Sequence, residues 1–213
     1  IVRHLAAVET LGAANVIASD KTGTLTRNEM TVKAIVTASG RVTLGGTGYE
    51  PTGDVTVHTA SASSNSVDIS EPLRMELERA LTVGDRATNA VLQEDEGQWT
   101  VQGDPTEGAL VVAARKIGLT EAILDAQYER VGEVPFSSER KMMSTLHTDS
   151  QHKGHIQVFT KGAPDVLLGR CDRERVGDTS RPSKHCVHSV LPPATCRRMA
   201  LNPIISTTIS SRI

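Results

Sequence analysis

The chain has 213 residues, of which 38% are hydrophobic and 23% charged, and its net charge is −2 at pH 7. This length can bury a substantial core, and the near-neutral charge gives no reason to expect a nucleic-acid partner. No apolar run approaches the roughly 18 residues of a membrane-spanning helix, and no signal peptide is recognisable, so the composition predicts a soluble globular chain.

A short apolar run opens the interpretable part of the sequence. Residues 15–19, NVIAS, are bounded by turn-forming residues and predict a buried central strand of an α/β sheet. Asp20 would then lie at the carboxyl end of this strand, in the crevice where open α/β sheets bind ligands. The carboxylate is therefore a candidate functional group.

The DKTGT sequence that begins at Asp20 supplies the groups needed to hold a phosphoryl group. Lys21 provides positive charge, Gly23 allows a tight turn with accessible amides, and two hydroxyls come from Thr22 and Thr24. Asp20 could then act as a covalent nucleophile and form an aspartyl-phosphate. Phosphoryl transfer requires charge neutralisation, which implies Mg²⁺. In the alternative interpretation, Asp20 only caps the following turn.

Predicted strands and helices alternate through the middle of the chain, which indicates an α/β (α+β) fold. The clearest helix has Asp104 as N-cap, Pro105 at its first position and Gly118 just past its end. The other predicted elements are two strands (30–46), a loop (47–55), an exposed polar tract (58–70), a helix (71–84), a strand pair (90–103), a helix (121–128), three strands (129–162) and a short helix (163–171).

Residues 173–213 have a different composition from the rest of the chain. They contain four of the nine prolines and carry a net charge of +5, against −7 for the remainder. Neither the helical nor the strand period is sustained, so we expect an irregular tail. A truncated or frameshifted end is one interpretation of this change.

Four motifs, in order along residues 1–172, resemble the P-type cation-transporting ATPases, and especially bacterial pumps related to the calcium ATPases. They are VETLGAANVIASDKTGTLTRNEMTV, QGDPTEGALVVAARKIG, VPFSSERKMMSTLH and VFTKGAPDVLL. The first resembles the phosphorylation-site segment of that family, and the other three resemble motifs of its nucleotide-binding domain. The seven residues DKTGTLT are far more specific than a lone acid followed by a turn.

The resemblance implies a role for each residue of the DKTGT sequence. Asp20 is expected to be phosphorylated by ATP, and Lys21 and Thr24 to contact the phosphoryl group. Asp20 and the main-chain carbonyl of Thr22 are expected to be Mg²⁺ ligands. A threonine at position 22, where related phosphatases carry a second acid, favours a stored phosphoryl group over rapid hydrolysis.

The resemblance also implies a nucleotide-binding site that includes Glu107, Phe136, Lys141, Lys161 and Gly162. The Phe136 ring is expected to stack on adenine, which contributes about 1–3 kcal/mol per stacked base. The alternative is that Phe136 is a core strand residue. For Glu107 the alternative is a first-turn acid favoured by the helix dipole.

The implied organisation has three parts. Residues 1–30 begin a phosphorylation domain of the haloacid-dehalogenase-like Rossmannoid type, 31–172 form a nucleotide-binding domain with a twisted antiparallel sheet flanked by helices, and 173–213 are the irregular tail. The complete pump would transport a cation, of calcium type, through membrane helices that this chain lacks, with these domains on the cytoplasmic side.

Because a later acidic motif of the family is also missing, we expect this chain to bind ATP with little turnover. The alternatives are a soluble haloacid-dehalogenase-like phosphatase and a non-catalytic nucleotide-binding module.

Overall fold

The computed structural model describes residues 13, 15–16, 18–20, 24–26, 28–59, 62–65, 69–171, 173–176, 179–182 and 208–211. The strands are β1 (Met30–Val36), β2 (Arg41–Leu44), β3 (Val55–Thr59), β4 (Ala62–Asn65), β5 (Val91–Asp95), β6 (Gln98–Gln102), β7 (Arg130–Ser137), β8 (Met142–Thr148), β9 (Ile156–Gly162), β10 (Arg173–Val176), β11 (Thr179–Pro182) and β12 (Thr208–Ser211). The helices are α1 (Glu71–Arg86), α2 (Pro105–Lys116), α3 (Glu121–Gln127) and α4 (Pro164–Leu168). None of these helices is long and apolar enough to cross a membrane.

The strands form antiparallel sheets, which confirms the predicted mixture of antiparallel strands and flanking helices. They are divided among separate sheets, whereas the sequence predicted a single one. A five-stranded sheet has the order β12-β1-β2-β3-β4, and a three-stranded sheet has the order β7-β8-β9. The pairs β5-β6 and β10-β11 form two further ribbons.

The main core lies between the five-stranded sheet and the two longest helices. Leu73, Leu77 and Leu81 recur every four residues, so they share one face of α1 and are all buried. They pack with strand residues and with the small side chains of α2. The core residues are Val32, Ile35, Val42, Leu44, Val57, Leu73, Leu77, Leu81, Ala109, Leu110, Ala113 and Ala114.

The start of α2 is held as the sequence predicts. The Asp104 carboxylate accepts hydrogen bonds from the main-chain amides of Thr106 (2.8 Å) and Glu107 (3.2 Å), which satisfies two of the unpaired donors of the first turn. Gly108 follows, where an added Cβ would lie 2.4 Å from the Cγ1 atom of Val101. This close approach of α2 to β6 fixes the position of Glu107.

The predicted buried strand at residues 15–19 is wrong for the residues that the structure describes there. Residues 15, 16, 18 and 19 are not in a strand, and Val16 is 84% exposed. A central parallel strand is stabilised by hydrogen bonds to neighbours on both sides. Among the described residues, no strand pairs with this segment, so it lacks there the neighbours that a central strand requires.

Two further predictions need correction. The polar tract at 58–70 was expected to be exposed and was given no secondary structure, but it contains the end of β3 and the whole of β4, because main-chain pairing with β3 supports even a Ser-rich strand. The tail was expected to be irregular, yet its described residues form the β10-β11 hairpin and β12, which pairs with β1. The rest of the tail lies outside the described residues.

Candidate nucleotide-binding site

The three-stranded sheet brings two of the predicted nucleotide-binding residues to the same level. Met142 on β8 pairs with Ser137 of β7 on one side and with Gly162 of β9 on the other. Lys161 precedes Gly162 and pairs with Met143, the next residue of β8. Phe136 precedes Ser137 within an irregularity of the β7–β8 pairing, between Val134 and Ser137, so it lies near the same end of the sheet. Neighbouring strands are about 4.8 Å apart, so the two main chains are separated by roughly 10 Å.

Lys161 forms an ion pair with Glu107 of α2. Its Nζ atom lies 2.7 Å from Oε1 of Glu107, although the two residues are 54 positions apart in the sequence. The side chains of Lys161 and Glu107 are only 22% and 17% exposed. The structure therefore brings together two residues that the sequence assigned to the same site from separate motifs.

The second carboxylate oxygen of Glu107 is also engaged. Oε2 accepts hydrogen bonds from the Thr88 hydroxyl at 2.9 Å and from the main-chain amide of Asn89 at 2.8 Å. Burial alone would raise the pKa of Glu107, but the hydrogen bonds from Lys161, Asn89 and Thr88 together with the Lys161 charge lower it. Glu107 is therefore ionised at neutral pH.

Burial lowers the pKa of Lys161, and the hydrogen bond and charge of Glu107 only partly offset this effect. Asp104 acts in the same direction as Glu107, whereas the positive charge of Arg130 adds to the lowering. Lys161 is thus a partly buried cation with one strong protein partner. A phosphate group would bring a second negative charge to the Lys161 ammonium group, and a hydrogen bond between such charged groups is stronger than one between neutral groups.

Phe136 presents its ring to solvent. It is 62% exposed on β7, whereas the other phenylalanine, Phe159, is 3% exposed and packs edge-on against Tyr128 with ring centroids 5.0 Å apart. The alternative role for Phe136 as a core residue is therefore wrong. The exposed Phe136 ring offers a surface on which a base can stack. Lys161, near the same end of the sheet, offers a positive charge that attracts phosphate.

Lys141 and Gly162 meet through their main chains. Lys141 has a φ of +52° at the end of the turn from β7 to β8, and its carbonyl accepts a hydrogen bond from the Ala163 amide at 3.0 Å. A Cβ on Gly162 would lie 2.4 Å from that same carbonyl oxygen. The absence of a side chain at Gly162 thus lets this turn close on β9, and the Lys141 side chain is exposed.

The expected phosphorylation segment is described only in part. Asp20 and Thr24 are exposed, and Lys21 and Thr22 lie outside the described residues. Among the described residues, no group of three or more His, Cys, Asp or Glu side chains could hold a metal ion. The roles of these four residues therefore stay predictions.

Comparison with known families decides the identity of the chain. The family described as P-type ATPase, cytoplasmic domain N, matches residues 76–184, or 109 of 213 residues. The chain belongs to the P-type cation-transporting ATPases. The five predicted nucleotide-binding residues all lie within the match to this P-type ATPase domain, and Asp20 lies before it.

Named P-type ATPase relatives cover most of the chain. The calcium-transporting ATPase of Bacillus subtilis is 42% identical over 173 residues, which are 81% of this chain and 18% of that protein. The cation-transporting ATPase pma1 of Synechocystis is 37% identical over 84% of this chain and 19% of its own length. The calcium-transporting ATPase type 2C member 1 of Bos taurus is 40% identical over 80% and 17%. The chain thus spans about a fifth of each of these relatives.

Three residues in contact with the site were not predicted from the sequence: Thr88, Asn89 and Arg130. Thr88 and Asn89 follow α1 and bind Glu107 from 19 and 18 residues away. Arg130 lies at the start of β7 and binds both of them from more than 40 residues away. No local pattern marks such residues, because their partners are set by contacts between elements that are distant in the sequence, such as that of α1 with β9.

Proposed function

We propose that residues 31–172 of this chain form the nucleotide-binding part of a cation-transporting P-type ATPase, with ATP as the ligand. The observation that carries the proposal is the exposed Phe136 ring at the same sheet level as the Glu107–Lys161 ion pair. Adenine would stack on Phe136, and the Lys161 ammonium group would supply positive charge at the partly buried end of the site. Lys141 would add a second, exposed cation.

Residues 1–30 are proposed to begin the phosphorylation domain, with Asp20 as the acceptor of the γ-phosphoryl group in the complete pump. Lys21 and Thr24 would contact that group there. The relatives named as calcium-transporting enzymes support a calcium-type cation as the transported ion. Asp20 lies in an exposed segment without strand pairing among the described residues, which supports little or no turnover by this chain alone.

ATP titration by calorimetry tests nucleotide binding. We expect wild-type chain to bind ATP, and Phe136→Ala to weaken binding by about 1–3 kcal/mol, the contribution of a stacked base. Val134→Ala is the matched control, because Val134 is also an exposed apolar residue of β7. Equal affinity in wild type and Phe136→Ala would contradict the stacking assignment.

A separate measurement tests the phosphorylation assignment. We expect γ-³²P-labelled ATP to give little acid-stable label on the isolated chain, and any label to disappear in Asp20→Asn. Robust labelling of the wild type would refute the expected lack of turnover. Label that persists in Asp20→Asn would refute the role of Asp20.

A further inference from the structure

We propose that Thr88 and Asn89 are positioning residues that fix the Glu107 carboxylate and, through it, the Lys161 ammonium group. Arg130 would hold the Thr88–Asn89 segment in place. This inference rests on the proposed nucleotide-binding function. It adds that the short connection after α1 determines the position of the Lys161 ammonium group in the site.

The hydrogen-bond pattern of Thr88 determines the direction of its bond to Glu107. The Thr88 hydroxyl oxygen accepts from the main-chain amide of Ala90 at 3.1 Å. Its single proton is therefore available for Oε2 of Glu107, which lies 2.9 Å away. Thr88 is 9% exposed and Ala90 8%, so water has little access to replace either bond.

Two donors on one oxygen fix the orientation of the carboxylate. The Thr88 hydroxyl and the Asn89 amide both bind Oε2, which leaves Oε1 directed at Lys161 at 2.7 Å. A carboxylate held by hydrogen bonds from a hydroxyl and a main-chain amide cannot follow the lysine freely. Residues 88–89 thus determine, through Glu107, where the Lys161 ammonium group lies.

Arg130 connects this segment to the strand that carries Phe136. Its guanidinium donates to the Thr88 carbonyl at 2.9 Å and to Oδ1 of Asn89 at 2.8 Å, and it also pairs with Glu133 on β7. The segment that orients Glu107 is therefore tied to the strand that carries Phe136. The charged groups that act on Lys161 within it are Glu107, Asp104 and Arg130.

Competitive labelling of lysines with trace acetic anhydride at pH 8 tests the inference without nucleotide. Thr88→Val keeps the side-chain shape and removes the hydroxyl, which loosens Glu107 and frees Lys161. We expect Lys161 to be acetylated about 3-fold faster, because a weaker contact with Glu107 lowers the pKa of its ammonium group and leaves more free amine at pH 8. Thr88→Ser should restore the wild-type rate, and exposed Lys153 should label equally in every variant.

A double variant separates positioning from general loss of stability. In Glu107→Gln, Lys161 should label faster than in Thr88→Val, and adding Thr88→Val to Glu107→Gln should change nothing further. A wild-type rate for Lys161 in Thr88→Val would overturn the inference. So would a further increase in the double variant, because Thr88 would then act through the fold and not through Glu107.

ATP titration of the same proteins distinguishes failure of this inference from failure of the proposed function. We expect Thr88→Val to weaken ATP binding about 3- to 10-fold, the equivalent of roughly one hydrogen bond. If the labelling pattern holds but wild-type chain binds no ATP, the proposed function fails and the positioning of Lys161 stands. If wild type binds ATP and Lys161 of Thr88→Val is acetylated at the wild-type rate, the positioning of Lys161 fails and the proposed function stands.

Discussion

Replacing Glu107 with glutamine removes the charge opposite Lys161 while keeping the side-chain shape. The two side chains are only 17% and 22% exposed, so water compensates the 2.7 Å contact only in part. A hydrogen bond between charged groups in such a setting contributes about 1.5–3 kcal/mol, and we expect Glu107→Gln to lower the free energy of unfolding by about 2 kcal/mol. The melting temperature should fall by roughly 4–8 °C.

Urea unfolding of wild type, Glu107→Gln, Lys161→Met and the double variant measures the coupling directly. We expect a coupling energy of about 1–2 kcal/mol, because the partners share one contact. Glu71→Gln is the matched control: Glu71 pairs with Arg74 on α1, but these side chains are 61% and 55% exposed, and such pairs contribute about 0.5 kcal/mol or less. A coupling energy near zero, or an equal loss of stability in the control, would show that the Glu107–Lys161 ion pair does not stabilise the fold.

Two further predictions concern acid stability and backbone packing. The pKa of Glu107 is lower in the folded chain than its ordinary value of 4.5. Its contribution to stability is therefore present above about pH 4.5 and is lost as the pH falls through the lowered folded value. In denaturant unfolding, the free energy of unfolding of Glu107→Gln should thus fall less steeply with decreasing pH than that of the wild type. Gly162→Ala should cost about 1–3 kcal/mol in the same assay, because its Cβ would lie 2.4 Å from the Lys141 carbonyl oxygen, whereas Gly169→Ala meets ordinary contacts from 3.6 Å and should cost less.

Local signals predicted the helices and most strands well. Asp104 and Pro105 mark the start of α2, and the four-residue spacing of Leu73, Leu77 and Leu81 marks the buried face of α1. These features depend on a few neighbouring residues and on the helical period, which the sequence displays directly. The hairpins β1-β2 and β5-β6 were predicted for the same reason, since their turns lie next to their strands.

Features that depend on distant partners could not be predicted in this way. An apolar run such as residues 15–19 forms a strand only where other strands pair with it, and none does so among the described residues. Likewise, the sequence placed Glu107 and Lys161 in one site by resemblance but could not show that they bind each other. Thr88, Asn89 and Arg130 carried no signal, because ordinary polar residues become part of a site only through long-range packing.

The most direct test of the account is an NMR measurement of contacts between ATP and the aromatic rings of the chain. The two phenylalanines are distinguishable, since Phe159 is buried and Phe136 is exposed, and Phe136→Ala assigns the signals. We expect intermolecular nuclear Overhauser effects between the adenine H2 or H8 proton and the Phe136 ring, with chemical-shift changes at Lys161. Binding of ATP with adenine contacts elsewhere, and none to Phe136, would contradict it.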